Sequence, residues 1–551
     1  MGLRLEWNRR GPPKYYNLRA RPANAEAECV YREEVKQGEG KEMWKRVPPS
    51  FVRCISHGFV VPRADGRWRM VVDYKRLNRH LSPKKFKVES WAEVIPLLKQ
   101  GSLLTRIDLK DAYYHIPLTR SAQRYLAFRV GSRLYVPAGM PFGVATAPRD
   151  FTRLLKPVVT ELRKNAIQLV AYLDDLLIIA RDATESRRAT TRVVARLEEL
   201  GFVINKDKLE LLPVMQTKFL GFIINTQEGR IFVPRAKRKA IRKRIRRLLR
   251  EPESTARKMA QVVGTLKAFK MAVSDVHLRT FHAQKAVVDM RRKDGWDRTS
   301  VIPKEARSEL GAWLRLLSTP LSRSFMTPDL QAEMTTDASG SGWGIKMVFP
   351  GRIPLKVAGL TPPRLRGQHS TALEMNAVVQ GIKVFREELR GRELTLKSDC
   401  GAVVANIKKG KAKSARLLPI MKALFAKLEK YNISIIPTWI PGSTNESDGL
   451  SRIKAQVGPE IRMTAFRRVI QRFGNLSVDA FATVNNAVLR RFFSLYPDPR
   501  AEAIDFFAAS QKDKDRWWIF PPPLLVGRVL HQVQARGIKA VVMVPIWPSR
   551  P

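Results

Sequence analysis

The twelve residues 169–180, LVAYLDDLLIIA, constrain this chain more than any other stretch. Aliphatic runs on both sides of Tyr172-Leu173-Asp174-Asp175 read as strand, tight turn, strand, with two adjacent carboxylates at the turn. Nothing within the stretch neutralises them. Burying two like charges side by side costs several kcal/mol unless a cation sits between them, and ligands that are all oxygen point to Mg2+ or Mn2+. The plain alternative is a solvated acidic turn, since Asp is a common turn former. A third carboxylate on another strand separates the two readings.

That carboxylate stands upstream. The segment SLLTRIDLKDAYYHIPL runs an apolar strand into Asp108. Three carboxylates on neighbouring strand ends hold two metal ions roughly 3.5 to 4 Å apart, an arrangement that activates a 3′-hydroxyl and stabilises departing pyrophosphate. The chemistry indicated is nucleotidyl transfer. Five residues beyond Asp108, Tyr113 is positioned to lie under the sugar of an incoming nucleotide, where its ring would collide with a 2′-hydroxyl; core packing is the alternative. Further upstream, the apolar runs 59–61 and 70–72 flank a turn and carry Arg63, Arg67, Arg69, Lys75 and Arg76, either a solvated basic face or a cradle for phosphates. Downstream, GMPFGVATAP (139–148) opens a helical segment, and small Ala145, Thr146 and Ala147 let a base pair approach the backbone.

Composition agrees with a polyanionic partner. Lys and Arg number 100 against 50 Asp and Glu, a formal charge of +50. Each neutralised phosphate adds roughly 0.9 to the log–log salt dependence of binding. Basic residues are spread through patterned segments with no amphipathic anchor beside them, which favours nucleic acid over a membrane surface. Cys29, Cys54 and Cys400 are odd in number and lack metal spacing, so neither a disulfide framework nor a zinc site is indicated. No apolar run reaches transmembrane length, and MGLRLEWNRRGPPKYY lacks the apolar core of a signal peptide, so an intracellular protein of the cytoplasm, the nucleus or both is expected.

The ordered set TRIDLKDAYYHIPL, GMPFGVATAP and AYLDDLLIIA closely resembles the polymerase motifs of retroelement reverse transcriptases, and GRWRMVVDYKRLN looks like their basic fingers hairpin. The resemblance implies that Asp108, Asp174 and Asp175 ligate the metals, that Arg69 contacts the triphosphate, that Tyr113 is the sugar gate, and that Phe142 lies over the nucleotide. Some retroviral members carry Gln at the position of Phe142, so a hydrogen-bonding role does not transfer. Lys206 or Lys208 corresponds to the lysine that assists pyrophosphate departure, with no basis for choosing between them. Phe219-Leu220-Gly221 resembles the hairpin that grips the primer end; an apolar strand with a Gly bulge fits the spacing as well.

Residues 235–250, RAKRKAIRKRIRRLLR, form a strongly basic helix with Ile241, Ile245, Leu248 and Leu249 at helical spacing. It reads as the start of a thumb-like region tracking a duplex backbone; a nuclear-localisation signal uses the same residues compatibly. From Gln331, Asp337 ends a short strand, Glu374 lies in the first turns of a helix, Asp399 ends another strand, and Asp448 follows WIPGSTNES. That order resembles ribonuclease H, which implies a second two-metal site that hydrolyses RNA in RNA–DNA hybrids. Related retroviral domains often carry a His in the loop after WIP, where this chain has Gly442-Ser443-Thr444.

From about Ile461 onward a helix and the strand-like 541–544 suggest a small α/β unit. It looks like the methyltransferase-like tail of DIRS-type, tyrosine-recombinase retroelements, but without a Gly-rich cofactor loop, so an inert or scaffolding tail is the preferred reading. No protease, integrase or recombinase pattern is visible. The expected fold is α+β and multidomain: a flexible basic lead-in (1–47), right-hand polymerase fingers and palm (48–232), a basic helical thumb or connection (233–328), a ribonuclease H-like α/β domain (329–455) and a C-terminal segment (456–551). The expected function is RNA-directed DNA polymerisation with ribonuclease H cleavage, using two Mg2+ or Mn2+ ions per site on an RNA template, a DNA primer, RNA–DNA hybrid and dNTPs, with no membrane partner. The rivals are an inactive nucleic-acid-binding relic and an RNA-directed RNA polymerase. Oligomeric state is not encoded legibly.

Overall fold

A computed structural model describes residues 2–18, 25–62, 68–205, 212–326, 328, 330–365, 367–451, 461–483, 486–494, 498, 500–508 and 514–546. Arg63, Arg67, Lys206, Lys208 and the stretch 547–551 lie outside the described residues. The chain divides into two compact units, Met1–Arg235 with Ser322–Met326, and Ala236–Leu321 with Thr327–Pro551. Among the described residues no helix is long and apolar enough to cross a membrane.

In the first unit the apolar runs around the Asp-Asp turn form a three-stranded antiparallel sheet. Asp175–Ala180 is central, between Leu103–Asp108 and Leu169–Tyr172. Leu176, Leu177, Ile178 and Ile179 are all buried, because a central strand is covered on both faces. Helices Ala147–Lys164 and Ala183–Glu199 pack on this sheet. The second starts at Asp182, whose side chain accepts the Glu185 N–H at 2.8 Å and satisfies one orphan donor of the first turn. Strands Cys54–Pro62 and Trp68–Asp73 form the expected basic hairpin, with Val61 opposite Arg69, and join a six-stranded sheet.

The lead-in is not featureless. Ala25–Gly40 is helical, and Tyr31 and Val35, four residues apart and so on one face, are buried beneath the fingers sheet together with Trp44 of the strand Trp44–Val47. The many Glu and Arg residues of this segment mask the period, which corrects the expectation of a flexible arm.

The second unit opens with helices Arg235–Arg250, Ala256–Lys267, Phe281–Asp294 and Lys304–Leu316. On the first, Ile241, Ile245 and Leu248 are buried and most of the basic residues are exposed, while Arg238 and Arg242 are half-buried and Arg238 donates to the Thr319 carbonyl at 2.6 Å. Trp313 is fully buried, and its indole N–H donates to the Arg279 carbonyl at 2.8 Å. A five-stranded mixed sheet follows in the order Leu355–Leu360, Gly342–Val348, Gln331–Ala338, Glu393–Ser398, Ser434–Trp439. Its first three strands are antiparallel and the last two join in parallel. The helix Ser370–Val384 is buried almost all round against this sheet.

The tail forms an all-parallel five-stranded sheet, ordered Ala503–Ile504, Arg491–Ser494, Val478–Asp479, Trp517–Ile519, Ala540–Val542. Sequence periodicity suggests a small α/β unit; the order of its strands is not visible in it because they are only two to four residues long.

Candidate active sites

Strand pairing places Asp108 directly opposite Asp175, and Tyr172 opposite Asp175, so Leu173 and Asp174 form a two-residue turn. Leu173 adopts a φ of 54°, a left-handed conformation that costs a non-glycine residue about 1 kcal/mol. The Leu109 N–H donates to the Asp174 carbonyl at 2.9 Å, tying the turn to the residue after Asp108. The three acids predicted from sequence therefore share one end of one sheet, with Asp108 buried and Asp174 and Asp175 half-buried. Asn205 holds Asp108 twice: its side-chain amide donates to Oδ2 at 2.8 Å, and its backbone N–H donates to the carbonyl at 2.8 Å. Arg106 donates to Asp175 Oδ1 through Nη2 at 2.6 Å and through Nε at 3.1 Å.

Beside these acids, Arg69 and Tyr113 both pack against Phe142. The Arg69 guanidinium lies 4.9 Å from the Phe142 ring centroid, and the Tyr113 and Phe142 rings are 4.7 Å apart. Partial burial raises the Tyr113 hydroxyl pKa, and the Asp174 and Tyr172 charges raise it further. Phe142 sits where its loop is clamped by Asn78, whose amide donates to the Gly143 carbonyl at 2.8 Å and accepts the Ala145 N–H at 2.9 Å. Gly143 has a φ of 94°, which a residue with a Cβ tolerates poorly. Phe219 pairs with Phe222 across a two-residue turn in which Leu220 and Gly221 have φ of 45° and 79°. This is a hairpin and not a bulged strand. Phe219 is buried against Trp91, so Leu220 and Gly221 are what the hairpin tip presents.

In the second unit Asp337, Glu374 and Asp399 come together, with ligand oxygens within 4.8 Å of one another. Asp337 ends its strand and is buried; Ser451 donates to its Oδ2, and the Asn445 amide to its Oδ1 at 3.3 Å. Glu374 is buried on the helix Ser370–Val384, with its Oε2 lacking a hydrogen-bond partner among the described residues. Burial, reinforced by the charges of Asp337 and Asp399, pushes its pKa up to about 8. A buried carboxyl with an orphaned oxygen, beside two further acids, suits a hard divalent cation, since the donor set is all oxygen. Asp448 is outside this group of three: it begins the short helix Asp448–Ser451, whose Ser451 reaches Asp337. Gly442, in the loop without His, lies so near Asp399 that a Cβ there would be 3.3 Å from Oδ2.

Sequence reasoning passed over Arg106, Asn205, Asn78, Asn445 and Ser451. Only Arg106 carried a signal, because a residue two before Asp108 on a strand shares its face.

Residues 61–224 match the family described as reverse transcriptase (RNA-dependent DNA polymerase). The chain carries a reverse transcriptase domain of the kind found in retrotransposon polyproteins. Among its relatives are the Tf2-3 and Tf2-7 transposon polyproteins of Schizosaccharomyces pombe, 30% and 29% identical over 165 residues, which is 30% of this chain. The aligned part spans only 12% of the length of those polyproteins. In fold, the chain is mixed α/β and multidomain, similar to a foamy viral protease-reverse transcriptase solved in complex with dsDNA. That likeness has a TM-score of 0.52 at 17% identity and covers 79% of this chain and 88% of the other. A second foamy viral structure, also solved with ds DNA, gives 0.51 at 17% identity, covering 78% and 72%.

Proposed function

We propose that this chain is the RNA-directed DNA polymerase of a retrotransposon and that its second unit cleaves RNA in RNA–DNA hybrids as a ribonuclease H. The observation that carries the first part is the register pairing Asp108 with Asp175, with Asp174 on the adjoining turn, inside the segment that matches the reverse transcriptase family. Asp108, Asp174 and Asp175 would hold divalent ions, Mg2+ or Mn2+, which when bound supply charge neutralisation at the attacking and leaving oxygens. Arg69 reaches the triphosphate from its seat on Phe142, Tyr113 excludes the 2′-hydroxyl, and the hairpin tip at Leu220 and Gly221 contacts the primer.

The triad Asp337, Glu374 and Asp399 supports the second activity, with Asp448 joining it at the rim. The mixed sheet, with Asp337 on one strand and Asp399 directly after another, supports the reading of 329–455 as a ribonuclease H-like domain. The basic helices of 233–328 track the duplex, and 456–551 is an inert or scaffolding tail of the DIRS-like kind. Action on an RNA template, a DNA primer and dNTPs inside the cell follows from this chemistry.

The test is extension of a labelled DNA primer on RNA with dNTPs and Mg2+, comparing the wild type with the Asp174→Asn/Asp175→Asn variant and following both strands. Extension by the wild type alone, with RNA cleavage by both proteins, supports two independent sites. If neither extends a primer that both bind, the chain is a nucleic-acid-binding relic.

A further inference from the structure

Arg106 sits diagonally across the sheet from Asp175. Its own strand partner is Leu177, whereas Asp108, two residues on, faces Asp175. Side chains two apart share a face, and a diagonal neighbour lies within reach of a long side chain. The guanidinium donates twice to Asp175 Oδ1, at 2.6 and 3.1 Å, and its Nη2 is 3.8 Å from Asp108 Oδ1. The side chains of Arg106 and Asp175 are each about a quarter exposed, so the pair is neither fully solvated nor sealed.

We propose that Arg106 is a positioning residue that serves as a resident counter-cation of the polymerase acids, pairing with Asp175 while no metal is bound and yielding that carboxylate when a divalent ion enters. The inference rests on the reading of Asp108, Asp174 and Asp175 as metal ligands. Three carboxylates at the end of one sheet repel one another, and a fixed positive charge on the same face lets the hairpin close without an ion. The same charge opposes a metal. An entering ion must displace two hydrogen bonds on Oδ1 and then occupies a site beside a guanidinium. A residue with a purely structural role would have the opposite effect on removal: its loss would disorder Asp175 and weaken metal binding.

The experiment is a Mn2+ titration of the full chain by electron paramagnetic resonance, in an Asp337→Asn/Asp399→Asn background that leaves the palm as the acidic cluster under test. Arg106→Ala, Arg106→Gln and Asp175→Asn are compared; Arg106→Gln keeps the stem and hydrogen-bonding capacity without charge. Both Arg106 variants should bind Mn2+ roughly fivefold more tightly, the scale of a partly exposed ion pair, while Asp175→Asn binds more weakly. Unchanged or weaker binding in both Arg106 variants, with Asp175→Asn still weakened, overturns the role of Arg106 and leaves the ligand reading standing. If Asp175→Asn also leaves Mn2+ binding unchanged, the ligand reading fails and the proposal with it.

Discussion

Glu374→Gln probes the second acidic cluster through its protons. Burial and the two neighbouring aspartates raise Glu374 from the ordinary 4.5 to about 8. At pH 7 only about one Glu374 in eleven is then ionised, and a metal needs the ionised form, so ion entry should release about 0.9 proton. Apparent affinity should rise about tenfold per pH unit up to about pH 8 and level off above it. The stability sign follows from the same shift. Because the folded pKa exceeds the unfolded one, the contribution of the protonated side chain is fully present below pH 4.5. It is lost at about 1.4 kcal/mol per pH unit as pH rises to about 8. Calorimetric titration with Mn2+ in two buffers of unequal ionisation enthalpy measures the protons, using the Asp174→Asn/Asp175→Asn background to silence the palm. Near-complete release at pH 7, almost none at pH 9.5, and its disappearance in Glu374→Gln are expected. Metal binding at pH 7 without proton release would refute the reasoning.

Tyr113→Val should raise ribonucleotide incorporation by removing the ring packed against Phe142; an unaltered dNTP to rNTP preference in single-nucleotide insertion would remove it as the sugar gate. Ser451→Ala takes a buried donor from Asp337 and should cost about 1 to 3 kcal/mol in urea unfolding, slowing hybrid cleavage while primer extension is unchanged. Trp313→Ala empties a fully buried site and should cost about 3 to 5 kcal/mol by the same measurement, with loss under 1 kcal/mol arguing against its place in the core. Duplex affinity should fall steeply with salt, the log–log slope gaining roughly 0.9 per phosphate contacted; a slope near zero would disconnect the charge from binding.

The Asp-Asp hairpin was legible because its information is local: two apolar runs, a tight turn and an acidic pair lie within twelve residues. The pairing of Asp108 with Asp175 was not, because register between distant strands is set by packing and no local pattern states it. Glu374 and Asp399 could be named from their places at a helix start and a strand end, yet the order of acids along the chain does not separate the three that converge from Asp448, which stands aside. Asn78, Asn205 and Ser451 act through hydrogen bonds to groups 65 or more residues away, and polar residues of these types fill loops everywhere. The lead-in helix hid its buried face among charges, although the four-residue spacing of Tyr31 and Val35 was there to be read.

The parallel sheet of the tail has a consequence for how the chain comes off the ribosome. Its central strand, Val478–Asp479, gains one neighbour from Arg491–Ser494 shortly after synthesis but waits for Trp517–Ile519 to gain the other, and the far edge closes only with Ala540–Val542. Parallel pairing cannot be made by tight hairpins, so each closure spends loop entropy before it returns contact energy. The palm hairpin, by contrast, closes between adjacent strands. Nascent chains would thus hold a formed polymerase sheet while Phe493, Phe506 and Trp517, which meet in the finished core, are still exposed. The tail therefore leaves apolar surface open to aggregation during synthesis until its last strands pair.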